Sequence, residues 1–243
     1  MAPKSIVRLT VTPGEQLAIT NCIAPSTSST VEGRPPAVLI AHTWGGRDEF
    51  VDNKARQLAE LGYVAFALDM YGHGVLGKNS EENAALMQPF IDDRSVLQQR
   101  IDAALYAVRL LPWVDDSKVA AIGFCFGGLC VLDLARMGAD LKGVVSFHGL
   151  LNPPQNKTSK PVLAKVLALH GHDDPMASDS QVTAFCQEMT DLQVDWQLHQ
   201  YGNTVHAFTN PLANSNASGT VYNKIADKRS WQSMQNFLEE IFA

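Results

Sequence analysis

The feature that most constrains the fold is an alternation, from about residue 37 onward, of short apolar runs with longer amphipathic stretches. This alternation is typical of βα units arranged around a mostly parallel sheet. The predicted strands are 37–41, 63–68, 119–122, 143–147, 166–170 and 194–201. The predicted helices are 51–61, 91–111, 128–137, 178–192 and 222–242, each with apolar residues three and four positions apart. Because the strands are almost continuously apolar, we expect them to be buried on both faces.

The rest of the chain fits the same plan. Segments 6–11 and 16–23, separated by Pro-Gly, predict an N-terminal antiparallel hairpin at the sheet edge. Segments 26–36 and 152–161 carry several prolines and polar residues and predict surface loops. Neither resembles a linker between domains, because strands of the same pattern continue on both sides. We therefore expect residues 1–243 to form one α/β domain, with helices on both faces of a central sheet.

Composition and charge exclude several classes of protein. With 46% hydrophobic and 18% charged residues, the chain can bury a large core and is unlike disordered polypeptides. The net charge is −6, and the 19 Lys and Arg residues form no basic run, so nucleic acid is not an expected partner. No apolar stretch reaches about 18 residues, and the N-terminus has no signal-peptide pattern. We expect a cytoplasmic protein that is not bound to a membrane.

The sharpest local signal is the segment Gly-Phe-Cys-Phe-Gly-Gly at 123–128, which directly follows a predicted strand and precedes a predicted helix. It is a G-x-C-x-G form of the nucleophile elbow, a turn whose central residue is strained and whose flanking glycines let strand and helix approach. The turn predicts that the Cys125 sulfur lies at the N-terminus of a helix, where a thiolate is stabilised. Cys22, Cys130 and Cys186 are expected to be packing residues.

A thiol nucleophile needs a base, and in this architecture the acid and the histidine come later in the chain. His206 lies between the last predicted strand and the last predicted helix, where such a base belongs. His148 comes before the acid candidates, so chain order disfavours it. For the acid, Asp173 and Asp174 compete, and Asp174 is preferred because it stands three places after Gly171 and precedes a proline. Asp173 remains the alternative.

Two further features concern the same site. His170 and His172, beside the two aspartates, offer metal-binding side chains, but the catalytic interpretation already accounts for this segment. We therefore predict no metal. An oxyanion hole in this architecture uses the N–H after the nucleophile, here Phe126, and one from the loop after an early strand. In the loop 41–47 we predict Trp44 as that second donor, with His42 in a structural role.

Together these segments resemble the dienelactone hydrolase family. The resemblance covers nearly the whole chain, from the N-terminal hairpin through the elbow and the segment 171–175 to His206-Ala207-Phe208. It implies a Cys-Asp-His triad without a cofactor, with Cys125 as nucleophile, Asp174 as acid, His206 as base, and Trp44 and Phe126 as oxyanion donors. Two positions depart from the family pattern: Thr43 stands in place of a glutamate, and Asn210 in place of a substrate-binding arginine.

The expected activity is hydrolysis of a small-molecule ester, thioester or lactone through an acyl-enzyme on Cys125. One alternative is a genuine dienelactone hydrolase (carboxymethylenebutenolidase) in which another cation, such as Arg47 or Arg94, binds the substrate carboxylate. The other is a hydrolase-fold protein that binds a ligand without catalysis, against which the intact Cys, Asp and His positions argue.

Overall fold

The computed structural model of the protein describes residues 22–23, 33–156 and 158–243. These residues group into two compact units, the first ending at Ala121 and the second beginning at Ile122. That the whole chain forms one domain stays a prediction.

The first unit contains two parallel strands, β2 (Ala37–Ala41) and β3 (Val64–Leu68), which pair along their full length. A short strand, β1 (Cys22–Ile23), pairs antiparallel with the other edge of β3. Every residue of β2 and β3 is buried, as their continuous apolarity predicts. Helices α1 (Glu49–Glu60) and α3 (Arg94–Arg109) pack on both strands.

The second unit contains the remaining sheet strands, which lie side by side in the order β4-β5-β6-β7. The pairs β5–β6 and β6–β7 are parallel. A two-stranded antiparallel ribbon precedes the last helix. The strands and helices of this part of the chain are β4 (Val119–Phe124, beginning in the first unit), α4 (Phe126–Arg136), β5 (Gly143–Phe147), β6 (Lys165–Gly171), α5 (Asp179–Asp191), β7 (Trp196–Tyr201), β8 (Asn214–Ser215), β9 (Thr220–Val221) and α6 (Lys224–Phe242).

The predicted α/β architecture, with a mostly parallel sheet flanked by helices, is confirmed. Each strand and helix predicted from residue 37 onward is present, with ends that agree or shift by a few residues. Residues 152–156 and 158–161 are irregular, as predicted. The predicted N-terminal hairpin and most of the 26–36 loop lie outside the described residues, apart from 22–23 in β1 and 33–36.

One helix was not predicted. The structure has α2 (Ser80–Asp92) in a segment that, up to residue 90, was assigned to no predicted strand or helix. Its pattern is weak because Phe90 is its only buried residue, so no apolar stripe marks the helix. The one sequence feature that could have indicated the helix is Asn79, because asparagine is a favoured N-cap residue. In the structure its side chain accepts a hydrogen bond from the Glu82 N–H at 2.9 Å.

None of the helices in the described part of the chain combines the length and the apolar composition needed to span a bilayer.

Candidate active site

Cys125 occupies a sharp turn between β4 and α4. Its backbone has φ 56° and ψ −116°, a conformation rarely adopted by residues other than glycine. The turn brings strand and helix into backbone contact, because a Cβ atom on Gly123 would lie only 2.0 Å from the Gly127 oxygen. Glycine is therefore required at position 123. The predicted elbow geometry is present at this point of the chain.

The turn places Cys125 at the N-terminus of α4, as its N-cap residue. The Cys125 carbonyl accepts hydrogen bonds from the N–H groups of Gly128 at 2.9 Å and Leu129 at 3.3 Å, which fixes the first turn of the helix. Phe126 is the first helical residue, and N–H groups of a first turn point outward along the helix axis. Cys125 is half-buried, whereas Cys130 in the same helix is fully buried. A thiolate on Cys125 is thus favoured by the helix dipole.

His206 is held in place by the ribbon before α6. Its N–H donates to the Gly219 carbonyl at 3.0 Å, and its carbonyl accepts from the Val221 N–H at 3.1 Å. The side chain is buried, with 2% of the residue exposed. Its Nδ1–H donates to Oδ2 of Asp174 at 2.8 Å.

Asp174 lies in the turn after β6 and is the aspartate that contacts His206. Its second oxygen, Oδ1, accepts from the Met176 N–H at 2.8 Å, so both carboxylate oxygens are bonded in a buried position. The neighbouring Asp173 is exposed, and its backbone N–H donates to the Thr204 carbonyl at 2.9 Å. Of the two adjacent aspartates, the structure therefore brings Asp174 alone to the histidine.

The charge state of His206 follows from its surroundings. Burial by itself lowers the pKa of the imidazole, but attraction to Cys125 and the hydrogen bond to Asp174 outweigh burial and raise the pKa to about 10. Among the described residues Nε2 has no hydrogen-bond partner of conventional geometry. The Cys125 sulfur raises the pKa of His206 mainly through charge attraction and, to a smaller extent, as a hydrogen-bond partner. At neutral pH the arrangement favours an imidazolium beside a thiolate.

The other histidines of the second unit differ in their surroundings. His170 is 2% exposed, and neither of its ring nitrogens has a hydrogen-bond partner among the described residues. Burial lowers its pKa, although Asp174 opposes this effect, so the ring is favoured as neutral. His172 is exposed. In the described part of the chain, no group of three or more histidine, cysteine or acidic side chains is arranged to hold a metal ion.

His148 is nearer to the site than its sequence position suggested. Its ring centroid lies 5.0 Å from that of His206 in an edge-on arrangement. Chain order disfavoured His148 as the base, but that argument does not concern a supporting role. The sequence did contain a sign that His148 lies near the site, because it directly follows the predicted strand 143–147. The carboxyl ends of parallel strands meet at one edge of the sheet, where the other site residues also lie.

In the first unit, the loop that contains Trp44 is tied to the loop after β3. The Tyr71 hydroxyl donates to the Trp44 carbonyl at 2.8 Å, and the Met70 N–H donates to Nε2 of His42 at 3.0 Å. Burial lowers the pKa of His42 to about 4, so the ring is neutral and able to accept this bond. That Trp44 and Phe126 form an oxyanion hole stays a prediction from the sequence.

The two positions that depart from the family pattern, Asn210 and Thr43, take part in hydrogen bonds within their own loops. Asn210 accepts a hydrogen bond from the Leu212 N–H at 3.0 Å and so stabilises the turn after Thr209. The Thr43 carbonyl accepts bonds from Nδ1 of His42 at 2.6 Å and from the Gly46 N–H at 3.2 Å. Arg47, offered above as a substitute cation, forms a two-bond ion pair with Asp52. Its charge is therefore largely balanced within the protein.

Comparison with known proteins gives consistent results. Residues 23–242 match the family described as the Dienelactone hydrolase family. A crystal structure of a dienelactone hydrolase-like promiscuous phosphotriesterase from metagenomic libraries is 40% identical, with a TM-score of 0.83 over 88% of this chain and 89% of that chain. An uncharacterized Caenorhabditis elegans protein is 39% identical over 155 residues, which are 63% of this chain and 98% of that protein.

A more distant relative has a more specific description. A Bradyrhizobium protein described as a probable 2-oxo-3-(5-oxofuran-2-ylidene)propanoate lactonase is 28% identical over 220 residues. The match covers 86% of this chain and 85% of the Bradyrhizobium protein.

Proposed function

Because this chain belongs to the dienelactone hydrolase family of α/β-hydrolases, and is therefore a hydrolase, we propose that it cleaves carboxylic esters, thioesters or lactones through an acyl-enzyme on Cys125. In this proposal His206 is the base and Asp174 orients it. The observation that carries the proposal is the buried His206, bonded to Asp174 at 2.8 Å and attracted to a cysteine at a helix N-terminus.

The proposed mechanism begins with the Cys125 sulfur as a thiolate and His206 protonated. The thiolate attacks the substrate carbonyl carbon, and the electron pair of the C=O bond moves onto oxygen, where the Phe126 N–H stabilises it. When the intermediate collapses, His206 gives its proton to the departing alkoxide and a thioester remains on Cys125. His206 then takes a proton from water, whose oxygen attacks the thioester. The carboxylic acid leaves and the thiolate–imidazolium pair is restored.

The first test is to trap the acyl-enzyme. Purified protein is mixed with a short-chain p-nitrophenyl ester, quenched in acid and digested for mass spectrometry. We expect turnover faster than that of a free thiol in buffer, and an acyl group that fragmentation of the peptide assigns to Cys125 rather than to Cys130. Turnover no faster than a free thiol, or an acyl group on Cys130 or Cys186 instead, would indicate a ligand-binding protein or a different nucleophile.

A second candidate activity is hydrolysis of phosphotriesters. The observation that favours it is the similarity, at 40% identity over 88% of this chain, to the structure described as a promiscuous phosphotriesterase. The same thiolate would attack phosphorus and displace an aryloxide or alkoxide, so the residues proposed above serve both reactions. Assay of a neutral phosphotriester beside the p-nitrophenyl ester, with the same preparation, measures the ratio of the two activities.

We expect the substrate to carry no carboxylate in the part that the family's arginines would bind. A carboxylate in a partly desolvated pocket needs a cation, because an unpaired buried charge is very costly. Asn210 stands where the family resemblance implies an arginine, and the charge of Arg47 is balanced by Asp52. We therefore predict a higher kcat/KM for neutral short-chain esters than for a carboxylate-bearing dienelactone, and that Asn210→Arg narrows or reverses this preference.

The control for this comparison is Asn210→Gln, which disturbs the same turn without adding charge. Steady-state kinetics of the three proteins on both substrates make the test. If the parent protein prefers the dienelactone by about tenfold, or about 1.4 kcal/mol of transition-state discrimination, another cation binds its carboxylate. The chain would then be a genuine dienelactone hydrolase.

A further inference from the structure

The segment after β5 is fixed to the nucleophile turn. The Cys125 N–H donates to the carbonyl of Phe147 at 3.0 Å, immediately before His148 in the chain. On the other side of His148, Gly149 packs backbone to backbone against α4, because a Cβ atom on Gly128 would lie 2.7 Å from the Gly149 Cα. The backbone of residues 147–149 can therefore move little relative to Cys125.

The His148 side chain reaches from this segment to the loop that carries His206. Its Nε2 shares a hydrogen bond of 2.8 Å with the hydroxyl oxygen of Thr209, three residues after the base. Its ring packs edge-on against Phe208, with centroids 5.1 Å apart, as well as against His206. All four residues are buried. A single side chain thus connects the backbone that holds the nucleophile to the base and to two residues of the loop that follows it.

The backbone of His148 indicates that this connection has a cost. Its φ is 39°, in the left-handed region where glycine and asparagine are favoured. A non-glycine residue in this region is strained and persists only where its surroundings impose the conformation. The contacts of the ring with Thr209, Phe208 and His206 help to offset this strain.

We propose that His148 and Thr209 are positioning residues that hold the His206 ring at the distance from Cys125 at which the thiolate–imidazolium pair forms. The inference rests on the proposed function and deepens it. The attraction between two charges depends on their separation and on exclusion of water, so a loop free to move outward weakens the pair. His148 limits that movement because it is anchored on the side of the nucleophile.

Several titratable groups face the His206 ring, and each affects its charge. They come from the turn before α4, the residue after β5, the end of β6 and the turn after β6, and are Cys125, His148, His170 and Asp174. Loss of the Thr209 hydroxyl leaves all of these groups in place. If the thiolate–imidazolium pair forms less readily in a Thr209 variant, the cause is therefore a change in the position of His206 and not the loss of a charged group.

The test uses alkylation of Cys125 by iodoacetamide as a function of pH, without substrate, followed on the Cys125 peptide by mass spectrometry. Only the thiolate reacts, so the rate below neutral pH reports how well the pair is formed. For Thr209→Val we expect the alkylation rate near pH 6 to fall about tenfold, equivalent to one pH unit in the acid limb, with an unchanged rate at high pH. We expect kcat to fall more than KM rises. Thr209→Ser keeps the hydroxyl and is expected to restore the parent profile.

The matched control is Thr204→Val in the same loop. Thr204 is also buried, and its hydroxyl donates to the Gly202 carbonyl at 3.1 Å and accepts from Asn223 at 3.1 Å, but it makes no bond to His148. This variant is expected to lower the melting temperature and to leave the alkylation profile of Cys125 unchanged.

A second variant, His148→Asn, removes the ring while retaining a residue that tolerates the left-handed backbone. It is expected to shift the profile in the same direction as Thr209→Val, and it carries the test if Thr209→Val fails to fold. The proposal is wrong if neither variant shifts the profile, if stability alone falls, or if Thr204→Val shifts it equally. Failure of the proposed function is distinguishable, since Cys125→Ala would then retain hydrolysis whatever the alkylation results.

Discussion

Replacement of Cys125 by alanine is expected to abolish ester hydrolysis while leaving the fold intact. Alanine keeps the Cβ atom and therefore the same backbone preferences in the turn, so the change removes only the sulfur. Loss of a nucleophile from a triad lowers kcat on the order of 10⁴-fold or more. Steady-state hydrolysis of a p-nitrophenyl ester, with circular dichroism as the check on folding, makes the measurement.

Two other cysteines provide the controls for this substitution. Cys130 is buried within α4, and Cys186 is half-buried on α5 with its pKa raised by burial. Alanine at either position is expected to cost some stability and to leave turnover within a few-fold of the parent, as for packing residues. Hydrolysis that survives in Cys125→Ala would rule out the covalent mechanism.

The second large effect is expected for Asp174→Asn. The amide oxygen can still accept the Met176 N–H, so the turn is retained, but the negative charge beside His206 is lost. Neutralising the acid of a triad lowers kcat roughly 10⁴-fold. Asp173→Asn changes an exposed side chain and is expected to alter kcat by no more than about twofold, in keeping with most surface substitutions. The opposite ranking would mean that Asp173 is the acid.

The same variant has a predicted effect on the pH profile. In the parent protein the pKa of His206 is raised to about 10, so the imidazolium that protonates the leaving group persists until the pH approaches that value. Removal of the Asp174 charge and hydrogen bond lowers the pKa of His206. The alkaline limb of kcat/KM should therefore move to lower pH in Asp174→Asn. An alkaline limb that does not move would show that the leaving group receives its proton elsewhere.

Much of the fold and the pairing of His206 with Asp174 could be predicted because they depend on local patterns. The strand 37–41 was predicted with the ends that the structure shows, since five apolar residues in succession after two prolines indicate a short strand buried on both faces. The choice of Asp174 over Asp173 depended on spacing from Gly171. The structure brings Asp174 to His206 because the turn directs every third residue inward.

What could not be predicted depends on contacts distant in sequence or on weak patterns. Helix α2 has a single buried residue, so no amphipathic pattern distinguished it from a loop. The contact of His148 with Thr209 spans 61 residues and depends on where two loops meet at the sheet edge. The role of Trp44 depends on the path of a loop whose neighbours come from another part of the chain. The periodicity of apolar residues along the sequence does not show which distant loops contact one another.

The backbone of Cys125 implies a conflict between stability and activity in this protein. A left-handed φ of 56° at a residue with a Cβ atom costs on the order of 1–3 kcal/mol, which is a sizeable fraction of the stability of an ordinary domain. Glycine at this position would relieve the strain and remove the sulfur. A screen for thermal stability alone would therefore select against the residue at which the chemistry takes place. Thermostable variants of this protein are best sought with activity selected at every round.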